Sequence, residues 1–162
     1  AMLVLGYVDP HPQGDIEVWY SAQQEVLKIQ SGRIVGSAGL TTDWSRVRFP
    51  AAPPAWGAVP AQGAQYLRIR DEMPGYQFDL VDNLHLTAWA GLPASKLPAS
   101  LPADTARSYQ WFREAAVPAH GQALPPAWYA WGMRGGVATV VYSEQCLSPV
   151  LCLKMQRWPV QE

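Results

Sequence analysis

The chain has 162 residues, of which 49% are hydrophobic and 15% charged, with a formal net charge of −1. That length suits one domain, and the apolar fraction supplies a core and excludes a disordered chain. No basic stripe and no apolar run of membrane-spanning length occurs, which argues against a nucleic-acid surface, an anionic-membrane surface and a helical span.

The chain opens with Leu3-Val4-Leu5-Gly6-Tyr7-Val8. It has no charged n-region and no cleavage site, so it reads as a strand rather than the remnant of a signal segment. Three short runs follow at 17–21, 25–30 and 31–40, rich in β-branched and aromatic residues and separated by small polar turns. Ser31-Gly32 between apolar alternations is a two-residue hairpin turn, and Gly32 can supply the positive φ it needs. Residues 49–63 are rich in Pro, Ala and Gly and read as a loop. In 64–71, Leu67 and Ile69 point one way and Tyr66, Arg68 and Arg70 the other. Met73-Pro74-Gly75 then turns the chain. From 76 to 90 the even positions are apolar except Asp82, and the odd ones, including His85 and Trp89, are mostly polar. That period of two predicts a long strand, or two strands bent or bulged at Asp82-Asn83.

Residues 92–104 hold three degenerate Leu-Pro-Ala triplets, an extended low-complexity loop. The stretch 108–117 fits a strand or a short helix. Residues 128–133 and 137–142 form a hairpin turning at Arg134-Gly135, and a last hairpin crosses Ser148-Pro149 to reach 151–155. Hairpin after hairpin predicts an all-β fold over residues 1–162, an antiparallel barrel or sandwich with Pro/Ala-rich loops. Neither half holds enough strands to close a core alone.

No strong catalytic motif is present. Gly36-Ser37-Ala38-Gly39 lacks the spacing of a nucleophile elbow, and no glycine-rich loop has the Lys-Ser/Thr pair of a phosphate cradle. His11, His85 and His120 lie far from one another and from any Cys, which leaves a zinc site without support and implies no cofactor. His11 and His120 fall in Pro-rich loops, and His85 on the polar face of its strand. Asp79 and Asp82 differ by an odd number, so a regular strand sends them to opposite faces; a glycosidase would need such a pair close together in a cleft. Eight Trp and seven Tyr either fill the core or line a sugar-stacking groove. Arg33, Tyr66, Arg68 and Arg70, with His85 and Trp89, are the candidate ligand or partner face. Read as outward-facing, Tyr66, Arg68 and Arg70 would bind an acidic sugar or partner; the plain alternative is a solvated face. Cys146 and Cys152 flank the Ser148-Pro149 turn and form either a disulfide or two small buried thiols.

Several segments also resemble one family. Trp19-Tyr20-Ser21, Val26-Leu27-Lys28-Ile29, Gly32-Arg33-Ile34-Val35 and Ser37-Ala38-Gly39-Leu40 follow the order seen in the YjbF/GfcB family of bacterial lipoproteins, and Met73-Pro74-Gly75-Tyr76 is similar to a later segment of it. The resemblance is good over residues 3–76 and loose beyond. It implies an outer-membrane lipoprotein facing the periplasm, largely β, from an operon for exopolysaccharide or capsule export. It also implies a signal peptide and a lipid-bearing Cys ahead of this mature domain; neither Cys146 nor Cys152 can be that anchor. It carries no catalytic residues over. The expected function is therefore a non-enzymatic accessory role, through polysaccharide-secretion proteins or an anionic glycan. A carbohydrate-active enzyme, a glycan-binding module and a purely structural partner-binding domain are the alternatives.

Overall fold

The computed structural model describes residues 1–92, 96–119 and 121–158. His120 and the Pro93-Ala94-Ser95 part of the first triplet lie outside the described residues. The strands are β1 (Leu3–Asp9), β2 (Ile16–Ser21), β3 (Val26–Gln30), β4 (Arg33–Ala38), β5 (Asp43–Arg48), β6 (Ala64–Met73), β7 (Gln77–Trp89), β8 (Gln110–Pro118), β9 (Ala127–Arg134), β10 (Val137–Ser148) and β11 (Leu151–Gln156). One helix, α1 (Ala103–Arg107), and a 3₁₀ turn at Trp56–Ala58 complete the described elements.

Within each of two sheets, every strand pairs antiparallel with its neighbours in sequence. β1 to β4 form one sheet, and β5 to β11 form a second, seven-stranded sheet curled into a half-barrel. The all-β expectation therefore holds, and short turns explain it, since antiparallel neighbours need only a hairpin between them. Ser31 and Gly32 take φ of 47° and 81°, the left-handed pair that a two-residue turn requires. From Gln110 onward the ambiguous stretch 108–117 belongs to β8, while the short helix lies just before it, capped by Ser108, and packs Ala106 with Trp111, Ala130 and Tyr142.

The bulge expected at Asp82-Asn83 is absent. The β6–β7 ladder runs without a break from Ala64↔Leu86 to Arg70↔Leu80, and the irregularity falls between Arg70 and Glu72, near Asp79 with its φ of 55°. Asp82 pairs directly with Arg68 across the ladder and bonds to it, which keeps the strand regular there. Cys146 and Cys152 are also ladder partners and are joined by a disulfide.

The core lies between the sheets. Leu27, Ile29 and Ile34 of the small sheet meet Trp44 and Leu147 of the large one, and Val35 meets Phe49, Tyr66, Leu84, Phe112 and Tyr129. The β3–β4 hairpin tip thus sits in the concave face of the half-barrel. A Cβ on Gly32 would lie 2.4 Å from Val140 Cγ2, so only glycine allows the tip to approach so closely.

Candidate functional site

The hairpin tip carries Arg33 into the interior. Its Nε donates to the Tyr66 hydroxyl at 2.8 Å and lies 3.6 Å from Glu114 Oε2. Tyr66 in turn donates to Glu114. The Arg33 guanidinium stacks 4.1 Å from the Trp56 ring centroid, and Trp56 Nε1 donates to the Ser31 carbonyl. The Tyr129 hydroxyl lies 3.1 Å from Gln145 Oε1 and 3.4 Å from Glu114 Oε1. Gln145 accepts from the Ile34 N–H at 2.9 Å and donates to the Gly32 carbonyl at 2.9 Å, which ties β10 to the hairpin of the other sheet. Burial, then the Glu114 carboxylate, holds the hydroxyls of Tyr66 and Tyr129 well above the ordinary tyrosine range. Both therefore stay protonated and act as donors.

A second buried cluster lies further along β6. Arg68 and Arg70 donate to Asp82 at 2.9 and 2.8 Å through Nε, and Arg70 also pairs with Glu72. The two guanidinium groups sit 4.5 and 5.3 Å from the Trp44 ring centroid. Arg68 is 7% exposed, Arg70 5% and Asp82 0%. This corrects the expectation for Tyr66, Arg68 and Arg70. They do share one face, but that face points inward, and Leu67 on the opposite face is 41% exposed. Arg33 is likewise buried. The physical reason is the counter-charge: Asp82 occupies an inward position opposite Arg68, so the guanidiniums can enter the core as a neutralised, hydrogen-bonded cluster. The sequence held this signal, since Asp82 is the one polar residue on the apolar parity of 76–90. Glu114, the other hub, lies on a stretch that fits strand or helix by its pattern, so nothing local in the sequence marks it as inward-facing.

His85 and Trp89 do face outward, both exposed on β7. Trp89 is 50% exposed and meets Trp128 edge to face, with ring centroids 5.7 Å apart. The Arg113 guanidinium lies 5.6 Å from the Trp89 ring and 5.9 Å from the Trp128 ring. Ladder register explains the grouping, because Thr87, Arg113 and Trp128 stand side by side on β7, β8 and β9. Arg113 has no carboxylate partner among the described residues. The structure therefore separates the sequence candidates: four are interior and structural in their contacts, while Trp89 belongs to an outward aromatic–guanidinium surface. His85 lies on the same outer parity. His11 is exposed in the β1–β2 loop and accepts at Nδ1 from Gln13.

A groove opens where the small sheet approaches β10 and β11. Leu3, Trp19, Ile29, Val140 and Met155 line it, and its volume is about 390 Å³. Among the described residues no group of three or more His, Cys, Asp or Glu could hold a metal ion.

These features define an all-β protein of two antiparallel sheets, joined by the buried Arg33 cluster, with a second arginine cluster inside the larger sheet and an outward aromatic–cationic surface. Its fold is similar to the crystal structure of the hypothetical lipoprotein YmcC from Escherichia coli K12, with a TM-score of 0.68, 15% identity, and coverage of 93% of this chain and 74% of that one. At that identity the likeness shows the fold. No family model and no curated protein matches the chain.

Proposed function

We propose that the protein is a non-catalytic accessory lipoprotein of bacterial exopolysaccharide or capsule export. On this reading it is held at the outer membrane by an N-terminal lipid, faces the periplasm, and touches an anionic glycan through Trp89, Arg113 and Trp128. The observation that carries the reading is that surface. The exposed Trp89 indole can stack on a sugar ring, the half-buried Trp128 beside it extends the aromatic surface, and the half-buried Arg113, a guanidinium without a carboxylate partner, complements an acidic group on the polymer. Likeness in fold to a hypothetical lipoprotein supports the anchored role, as do the segments resembling the YjbF/GfcB family.

The buried acids support the non-catalytic part. Sugar hydrolysis needs two carboxyl groups about 5–9.5 Å apart around an accessible bond. Asp82 and Glu114 are buried and bonded to arginine and tyrosine side chains, out of reach of a polymer. The test is genetic. Deleting the gene from its host should reduce surface polysaccharide, and the wild-type gene should restore it. A gene carrying Arg113→Glu should express a folded protein and fail to restore it. Unchanged polysaccharide in the deletion strain, or release of oligosaccharides by the purified protein, would overturn the proposal.

A further inference from the structure

We infer that the groove between the two sheets is a binding site for an anionic amphiphile, an apolar chain ending in a phosphate or carboxylate, independent of the glycan-facing surface. Its volume of about 390 Å³ is that of a small-molecule site. The floor is apolar and comes from both sheets: Leu3, Trp19 and Ile29 on one side, Val140 and Met155 on the other. Such a concavity takes a chain, not a flat partner.

The charges at its edge favour an acidic head. Three cations border the groove, and two of them have acids of their own. Arg157 is held by Glu17 at 2.9 and 2.5 Å, over the Trp19 ring. Lys154 lies 3.8 Å from Glu144. Arg134 differs. One NH₂ group donates to the Trp158 carbonyl at 2.7 Å, but its Nε is buried without an acceptor, and no carboxylate pairs with it among the described residues. A buried donor without a partner is costly, and an anionic oxygen supplies both the missing acceptor and the missing charge. An uncharged head supplies less, and a cationic one is repelled.

The site can be tested on the purified chain with anilinonaphthalene sulfonate, itself an apolar anion, as a fluorescent probe. Saturable binding is expected. Twelve-carbon alkyl phosphate and twelve-carbon carboxylate, both below their micelle-forming concentrations, should displace the probe at least about tenfold better than the uncharged maltoside of the same chain. The better of the two acids identifies the head group. Each methylene removed from the chain should weaken displacement by about fourfold. Arg134→Gln should abolish the preference for the acids and leave maltoside displacement unchanged, and Leu3→Glu should weaken all three ligands. Near-ultraviolet circular dichroism confirms that each variant is folded. Should Arg134→Gln not fold, the charge preference and chain-length series of the wild type decide. Equal displacement by charged and uncharged ligands, displacement by inorganic phosphate alone, or no saturable binding would overturn the inference. None of these results depends on polysaccharide export, so the groove and the glycan-facing surface stand or fall separately.

Discussion

Asp82 is fully buried and accepts from two guanidinium groups that lie over one indole. Replacing it with Asn keeps the shape and removes the charge, which leaves Arg68 buried without a counter-ion and Arg70 with Glu72 alone. Asp82→Asn should therefore cost about 3–5 kcal/mol in urea unfolding. The exposed pair between Arg48 and Asp79 makes the contrast, and Asp79→Asn should cost less than about 1 kcal/mol. Equal losses from the two substitutions would contradict the account. The tyrosines beside Glu114 give a pH prediction. The unfolded chain ionises them near the ordinary value of 10.0, whereas the folded chain keeps them protonated well above it. Above pH 10 the unfolded state therefore binds fewer protons, and stability falls as the pH rises, by about 1.4 kcal/mol per pH unit for each hydroxyl. Below pH 10 this contribution is complete. Burial, then Glu144, also holds the Tyr142 hydroxyl well above the ordinary range, so three hydroxyls share most of the slope, and Tyr129→Phe should remove about a third of it in urea midpoints measured between pH 10 and 11; an unchanged slope would contradict it. At this scale the sequence was half legible. The shared parity of Tyr66, Arg68 and Arg70 could be read, but its direction depended on Asp82 lying across the ladder, a pairing that local alternation does not reveal.

The hairpins are the elements that sequence reveals best, because a turn and its flanking alternation are local. Ser31-Gly32 and the Cys146–Cys152 hairpin were both legible for that reason. What the sequence does not disclose is what a hairpin tip touches. Gly32 has a positive φ and a neighbour at 2.4 Å, so Gly32→Ala combines backbone strain with overpacking against Val140 and should cost about 2–4 kcal/mol. Gly136 has φ of 77° and nothing within 4 Å, so Gly136→Ala should cost only about 1 kcal/mol. Thermal or urea unfolding of the two variants checks this, and similar losses would remove the tip from its seat in the half-barrel. The disulfide closes a short loop, so its reduction should cost only about 2–2.5 kcal/mol. Loss of the whole fold on reduction would show that the bridge does more than pin β10 to β11.

For the whole molecule, the meander order explains how much of the fold could be read from the chain. Within each sheet every strand pairs with its neighbour in sequence, so consecutive hairpins build each sheet, and only the β4 to β5 step passes from one sheet to the other. How one sheet seats on the other is a non-local matter, set by contacts such as Gln145 with Gly32 and Arg157 with Glu17, across more than a hundred residues. For the same reason the sequence does not disclose the groove, which joins strands of both sheets, while the Trp89–Arg113–Trp128 surface depends on the register of three neighbouring strands, which local alternation does not reveal. The central claim concerns that outer surface. It is tested most directly by recording the tryptophan indole N–H resonances while an acidic oligosaccharide from the host's own polymer is titrated in. The indole resonances of Trp89 and Trp128 should shift, and the shift should weaken with added salt and in Arg113→Gln. Those of Trp44, Trp56 and Trp111, whose N–H groups donate to backbone carbonyls in the interior, should stay in place. Unmoved resonances for Trp89 and Trp128 at saturating oligosaccharide would contradict the account.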